Sequence, residues 1–186
     1  MGDWTAPLSW RTDAVSTATP LASLASGETE GLPSMLDMFL GVRAGSLGET
    51  CALALIVGGI YLVARKVISP AIPLSFIGTV AVIMLIAGKG DLEFVAYQIM
   101  GGGLLLGAIF MATDYSTSPI SFAGKIVFGI GCGILASLIR LFASMPEGVS
   151  FAILIMNLLV PHIEALTKPK PFGTVKEEKA KEAAAK

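Results

Sequence analysis

The stretch 123–143, AGKIVFGIGCGILASLIRLFA, decides the fold. Only Lys125 near its start and Arg140 near its end are charged, and the residues between are apolar or small. A bilayer's hydrocarbon is about 30 Å thick, and a helix rising 1.5 Å per residue needs about 20 apolar residues to cross it. The stretch has that length, so it predicts a transmembrane helix. The same window, moved outward, finds four further runs: Glu49 to Ala64, Pro70 to Ala87, Phe94 to Ala112 and Val149 to Leu166, the first two a little short. Between them lie ARKVISP, GKGDLE, TDYSTSPIS and SMPEG, each short enough to join antiparallel neighbours. The expected fold is an all-α integral membrane protein, a bundle of about five transmembrane helices around one apolar core.

Composition agrees. Hydrophobic residues make up 54% of the 186, charged residues 15%, and the mean hydropathy of +0.76 is too high for an ordinary soluble domain. The surrounding partner is membrane lipid. A net charge of -1 gives no basic excess of the kind that binds nucleic acid, so none is expected as a partner. Cys51 and Cys132 sit in apolar runs without CxxC or Cys/His spacing, and read as small buried residues.

Three regions follow: 1–48 before the first span, 49–167 containing the spans, and 168–186 as a charged tail. The opening MGDWTAPLSWRTD has no basic n-region followed by an apolar core, so it is not a signal peptide. Its Trp4 and Trp10 are residues of membrane interfaces, which suggests a chain that begins in mid-protein. LASLASGETEGLPS reads as a polar loop and SMLDMFLGVR as a short interfacial helix. Arg65 and Lys66, Lys125, and the lysines from Lys168 onward fall on one side if the spans alternate, against Arg11, Arg43 and Lys89 on the other, with Arg140 a few residues inside the fourth span, a real but moderate bias. The positive-inside rule then puts the C-terminus in the cytoplasm and residues 13–20 outside.

Ionisable groups inside a membrane cost on the order of 3 kcal/mol and are functional candidates by default. Glu49 lies in GSLGET at the outer mouth of the first span, Asp114 at the inner end of the third, and Glu164 near the inner end of the fifth. Arg140 is the one basic residue well inside a span, placed to neutralise a buried carboxylate or an anionic cofactor. Simpler readings stand beside these. Glu49 suits a helix N-terminus, and Asp114 with Tyr115, Ser116, Thr117 and Ser118 suits a turn or cap. His162 suits an interfacial hydrogen bond, and Ser75 and Thr79 suit bonds to their own helix. Gly58-Gly59, Gly101-Gly102-Gly103 and Gly129-Gly131-Gly133 permit unwinding, but close helix packing accounts for most of them.

Residues 13–20 read DAVSTATP, an unusual density of hydroxyls. Thr19 precedes Pro20 and is therefore pushed toward extended backbone, which presents its hydroxyl to a modifying enzyme. On residue types alone, a solvated outer loop is the simpler reading.

Several stretches together resemble the family that unites RnfD, a membrane component of the Rnf electron transport complex, with NqrB of the sodium-pumping NADH:quinone oxidoreductase, Nqr. They are DAVSTATPL at 13–21, GSLGET at 45–50, GAIFMATD at 107–114, IR at 139–140, PEGVSFAILIMN at 146–157 and PHIEALTKPKPFG at 161–173. The resemblance implies covalent FMN on Thr19, joined through the flavin phosphate, within a flavinylation pattern filled here by Asp13, Ser16, Ala18 and Thr19. Ala14 and Thr17 stand where members often have glycine. It implies a flavin transferase that consumes FAD outside the bacterial cytoplasmic (inner) membrane, on the side the lysine and arginine bias gives to Thr19. It also implies a multi-pass subunit, not catalytic alone, of a redox-driven translocase. In that role it takes electrons from a second FMN-bearing subunit among the other Rnf subunits, while the complex couples ferredoxin and NAD to Na⁺ or H⁺ movement. Asp114 and Glu164 match acidic positions implicated in cation handling, and Glu49 lies beside the flavin segment as a further member of the path. No firm metal site is implied. Members have about twice as many spans and a riboflavin site in the full-length protein, so a fragment or truncated gene is expected. Details of PHIEALTKPKPFG and TDYSTSP favour Rnf over Nqr, and a non-redox half-transporter or channel module is the alternative of another class.

Overall fold

A computed structural model describes residues 21, 33–41, 48–143 and 148–167 of the chain. Every regular element among them is a helix, and no strand occurs among them. The elements are α1 (Met35–Leu40), α2 (Ala52–Ala64), α3 (Ala71–Ala87), α4 (Leu92–Met100), α5 (Leu104–Met111), α6 (Phe122–Phe142) and α7 (Val149–Thr167). Within α5, Gly107–Met111 is wound as a π-helix.

Local chemistry sets the helix ends. Ser34 accepts the Asp37 N–H at the start of α1, and Gly41 closes that helix at φ 88°. Asp91 takes the Glu93 and Phe94 N–H groups at the start of α4, and Ser121 takes that of Gly124 at the start of α6. Pro161 stands inside α7 without an N–H to offer the Asn157 carbonyl. The short helix expected in SMLDMFLGVR is α1.

All the apolar runs are helical, but they differ in reach. α6 and α7, of 21 and 19 residues, are long and apolar enough to cross a membrane outright. α4 and α5 make a third crossing only if taken together, because they are bent by 62° at the break between them. The span expected from Phe94 to Ala112 is therefore discontinuous. α2 and α3 are apolar but shorter, at 13 and 17 residues. At 1.5 Å per residue they reach roughly 20 and 26 Å.

The core is built on α3 and α6. Ile72, Phe76, Val80 and Met84 recur every four residues on α3 and meet Phe128, Cys132 and Ala136, spaced likewise on α6. All seven side chains are buried. Gly129 and Gly133 let the helices close: a Cβ at 133 would stand 2.6 Å from Thr79 Cβ and 3.0 Å from the Phe76 carbonyl oxygen. Lipid tails are as apolar as these side chains, so dispersion and close fit hold such a seam more than water exclusion does. Ser75 and Thr79 on α3 spend their hydroxyls on their own helix, donating to the Ala71 and Ser75 carbonyls at 2.6 and 2.7 Å. Ala152, Ile153 and Met156 of α7 and Leu104 and Ala108 of α5 complete the core. Large apolar residues such as Leu74, Ile86, Leu158 and Leu166 face outward, as a lipid-facing bundle requires.

Candidate functional site

Among the described residues, two of the three buried polar side chains, Gln98 and Arg140, meet at the break between α4 and α5. α4 ends at Gly101, and Gly102 and Gly103 then adopt φ of 61° and 66°, a left-handed pair that glycine enters without a Cβ penalty. Interrupting a helix inside a membrane strands carbonyl groups at the end of its first half. Arg140, reaching across from α6, satisfies one in the last turn of α4 and those of the two glycines that follow. Its Nη1 donates to the Gln98 carbonyl at 2.6 Å and to the Gln98 Oε1 at 3.3 Å. Its Nη2 donates to the carbonyls of Gly101 and Gly102, both at 3.2 Å. Arg140 is 9% exposed, and its guanidinium lies at the negative end of the α4 dipole, so neutral dipoles stabilise its charge. Arg140, expected to neutralise a carboxylate or a cofactor, thus also serves as the clamp of a discontinuous helix.

Two further side chains converge on the break. A Cβ placed on Gly103 would stand 2.7 Å from Glu49 Oε2, so the half-buried Glu49 lies against the start of α5. An acidic group there complements the positive end of that half-helix. Leu21, 3% exposed, rests on Gly101, where a Cβ would collide with its Cδ1. One turn earlier, the Tyr97 hydroxyl donates to the Pro33 carbonyl at 2.7 Å.

Asp114 and Glu164 lie elsewhere, at the end of the bundle where α5 finishes and α6 begins. Exposed Asp114 closes a turn: its carboxylate accepts from Thr117 Oγ1 at 3.3 Å and its carbonyl from the Ser118 N–H at 3.1 Å. The neighbouring Tyr115 hydroxyl donates to the Val67 carbonyl, joining this turn to the α2–α3 connection. Glu164 Oε1 accepts the Ile120 N–H at 3.0 Å, and Ser121 and Thr167 share a hydrogen bond of 2.8 Å alongside it. The structure therefore places Asp114 and Glu164 at one end and sets Glu49 apart from them by the length of α5, roughly 12 Å. His162 is exposed. Among the described residues, no three His, Cys, Asp or Glu side chains cluster to hold a metal ion. Asp13, Ser16, Ala18 and Thr19 fall outside the described residues, as does the tail from 168.

Leu21, Tyr97 and Gln98 are site residues that sequence reading missed. Gln98 was the most findable, as an uncharged polar residue in the third span immediately before a triple glycine. Leu21 carried no signal, because its partner lies 80 positions away (101 − 21) and any leucine in a loop looks alike.

The chain matches the family described as NQR2, RnfD, RnfE over residues 1–173. It is 45% identical over 170 residues to the D subunit of the Na(+)-translocating ferredoxin:NAD(+) oxidoreductase complex of Acetobacterium woodii, covering 90% of this chain and 52% of that protein. It is 43% identical over 176 residues to the D subunit of the proton-translocating ferredoxin:NAD(+) oxidoreductase complex of Clostridium ljungdahlii, covering 87% and 52%. To the D subunit of the ion-translocating oxidoreductase complex of Stutzerimonas stutzeri it is 43% identical over 147 residues, covering 77% and 42%. The chain spans about half the length of these curated relatives.

Proposed function

Because the chain belongs to the NQR2, RnfD, RnfE family, we propose that it is a multi-pass membrane subunit of an Rnf complex, an ion-translocating ferredoxin:NAD⁺ oxidoreductase, with FMN attached to Thr19. The observation that carries this reading is the likeness to named D subunits, two of them from ferredoxin:NAD⁺ oxidoreductases, across nearly the whole chain. Those names also favour Rnf over the quinone-reducing Nqr relative. The other Rnf subunits are its partners, among them one that bears a second FMN, and a flavin transferase loads it at the outer face of the bacterial cytoplasmic membrane.

The residues present suit the group. Thr19 supplies a hydroxyl for the phosphoester, and buried Leu21, two residues on, gives the tether a fixed base on the membrane bundle. Bound FMN supplies reversible electron transfer. The chain's own residues hold the path around it: Arg140 fixes the carbonyls of the break, Glu49 lies at the start of α5, and Asp114 and Glu164 occupy the far end. Asp114 with Thr113, Ser116 and backbone carbonyls offers the oxygen ligands that a hard cation prefers. Relatives of nearly equal identity are named for Na⁺ in one case and for protons in another, so the ion is decided by measurement.

Covalent flavin is read by in-gel fluorescence of denatured protein from cells carrying the transferase. A fluorescent band is expected in the wild type and its loss in Thr19→Ala. A dark wild-type band, with the transferase active on another target, would sink the flavin reading in favour of a non-redox half-transporter or channel module. Asp114→Asn is expected to retain the fluorescent band and weaken Na⁺-dependent coupling of ferredoxin oxidation to NAD⁺ reduction. Unchanged sodium dependence removes Asp114 from the path.

A further inference from the structure

The three glycines at the break are not there for one reason. Gly102 and Gly103 have positive φ, which explains them. Gly101 has φ -93° and ψ 164°, an extended conformation open to any residue, so its dihedral angles do not call for glycine. What excludes a side chain at 101 is crowding from two sides: the Tyr97 carbonyl oxygen would stand 2.8 Å from a Cβ, and Leu21 packs over the same spot, its Cδ1 occupying the place of a Cβ and its Cγ lying 3.3 Å from it. The Gly101 carbonyl is in turn held by Arg140, so Leu21 packs on clamped backbone. The chain that leaves Leu21 returns to the same half-helix at Pro33, where Tyr97 holds it. One apolar and one polar contact thus tie both ends of segment 21–33 to α4.

We propose that Leu21, seated on Gly101 at the break, is a positioning residue that fixes the base of the segment carrying Thr19 and so sets where a Thr19-linked flavin stands relative to the discontinuous helix. This rests on the Thr19 reading above. An extended chain spans at most about 3.5 Å per residue, so an anchor two residues from the attachment point leaves little free tether. The conformational freedom removed from the tether is removed before any electron moves, which is the advantage of preorganisation.

The test uses the full chain loaded by the flavin transferase, with three readouts: covalent fluorescence after denaturation, anisotropy of native flavin fluorescence, and the flavin midpoint potential. Leu21→Ala is expected to keep the covalent band but lower the anisotropy and shift the potential. Leu21→Met, which can still fill the site, should keep both near wild type. A normal covalent band with anisotropy and potential both insensitive to Leu21→Ala overturns the anchor, whereas a dark wild-type band overturns the Thr19 reading and the proposal with it. Should Leu21→Ala fail to fold, Leu21→Cys with Gly101→Cys gives a flavin-independent measurement. A sulfur in place of Leu21 Cγ would stand close to the about 3 Å that separates Sγ from the partner Cβ across a disulfide. Peptides joined through positions 21 and 101 are expected by mass spectrometry after mild oxidation, and their absence overturns the contact.

Discussion

Arg140 shows how one side chain makes a broken helix tolerable in a bilayer. A lone guanidinium in hydrocarbon is expensive, and so is a row of unpaired carbonyls, but each is the other's remedy. The planar fork matters as well as the charge, because two nitrogens serve the carbonyls of Gln98, Gly101 and Gly102 at once. Arg140→Met keeps much of the volume and removes every one of these donors. Hydrogen bonds to a charged group contribute about 1.5 to 3 kcal/mol each, and the orphaned carbonyls find partial relief in other partners, so a net loss of about 3 kcal/mol is expected. Arg140→Lys keeps the charge without the fork and should fall between the two. Thermal unfolding in detergent measures the order, wild type above lysine above methionine, and a methionine variant as stable as wild type would remove the clamp from the account.

Among the elements, the α3–α6 seam and the α4–α5 break were unequally legible. The seam announces itself through apolar residues four apart on both helices and through Gly129 and Gly133, features that belong to single segments. The break was only half visible, because a triple glycine equally suits close packing, as Gly59 against Ile109 in fact illustrates. What separates the two cases is a long-range partner: Arg140 is 39 residues from Gly101 (140 − 101), beyond the reach of any local pattern. Glycines on α3 and α6 give a matched prediction. Gly133→Val would drive a Cβ against Thr79 and the Phe76 carbonyl, and backbone cannot yield cheaply, so a loss of about 2 kcal/mol or more is expected. Gly78, also helical, has nothing within 4 Å of its would-be Cβ, so Gly78→Ala should be neutral or stabilise by up to about 1 kcal/mol through helix propensity. Unfolding of the two variants in parallel reads both signs, and an equally destabilised Gly78→Ala would show that the outer face of α3 is covered.

For the whole molecule, the order of crossings and the sidedness of its charges make one argument. Reading the sequence alone, Arg65, Lys66 and Lys125 could be assigned to one side only by assuming that the spans alternate. The hydrogen bonds from Tyr115 to Val67 and from Ile120 to Glu164 bring the connection after α2, the start of α6 and the end of α7 to a common end, so the basic residues beside them share that end. These contacts fit alternating helices, and the positive-inside rule would put that end in the cytoplasm. Asp91 and Glu93, at the start of α4, and the Pro33 contact with Tyr97 mark the opposite end. Replacing exposed Leu92 or exposed Ile120 with cysteine places a single reporter at each end. Native Cys132 is buried and Cys51 half-buried, so Cys51→Ala provides a quiet background. With a membrane-impermeant maleimide on intact cells, Leu92→Cys should be labelled and Ile120→Cys protected until the membrane is opened. The reverse pattern would invert the molecule, placing residues 13–20 in the cytoplasm, and an externally acting transferase could then not reach Thr19.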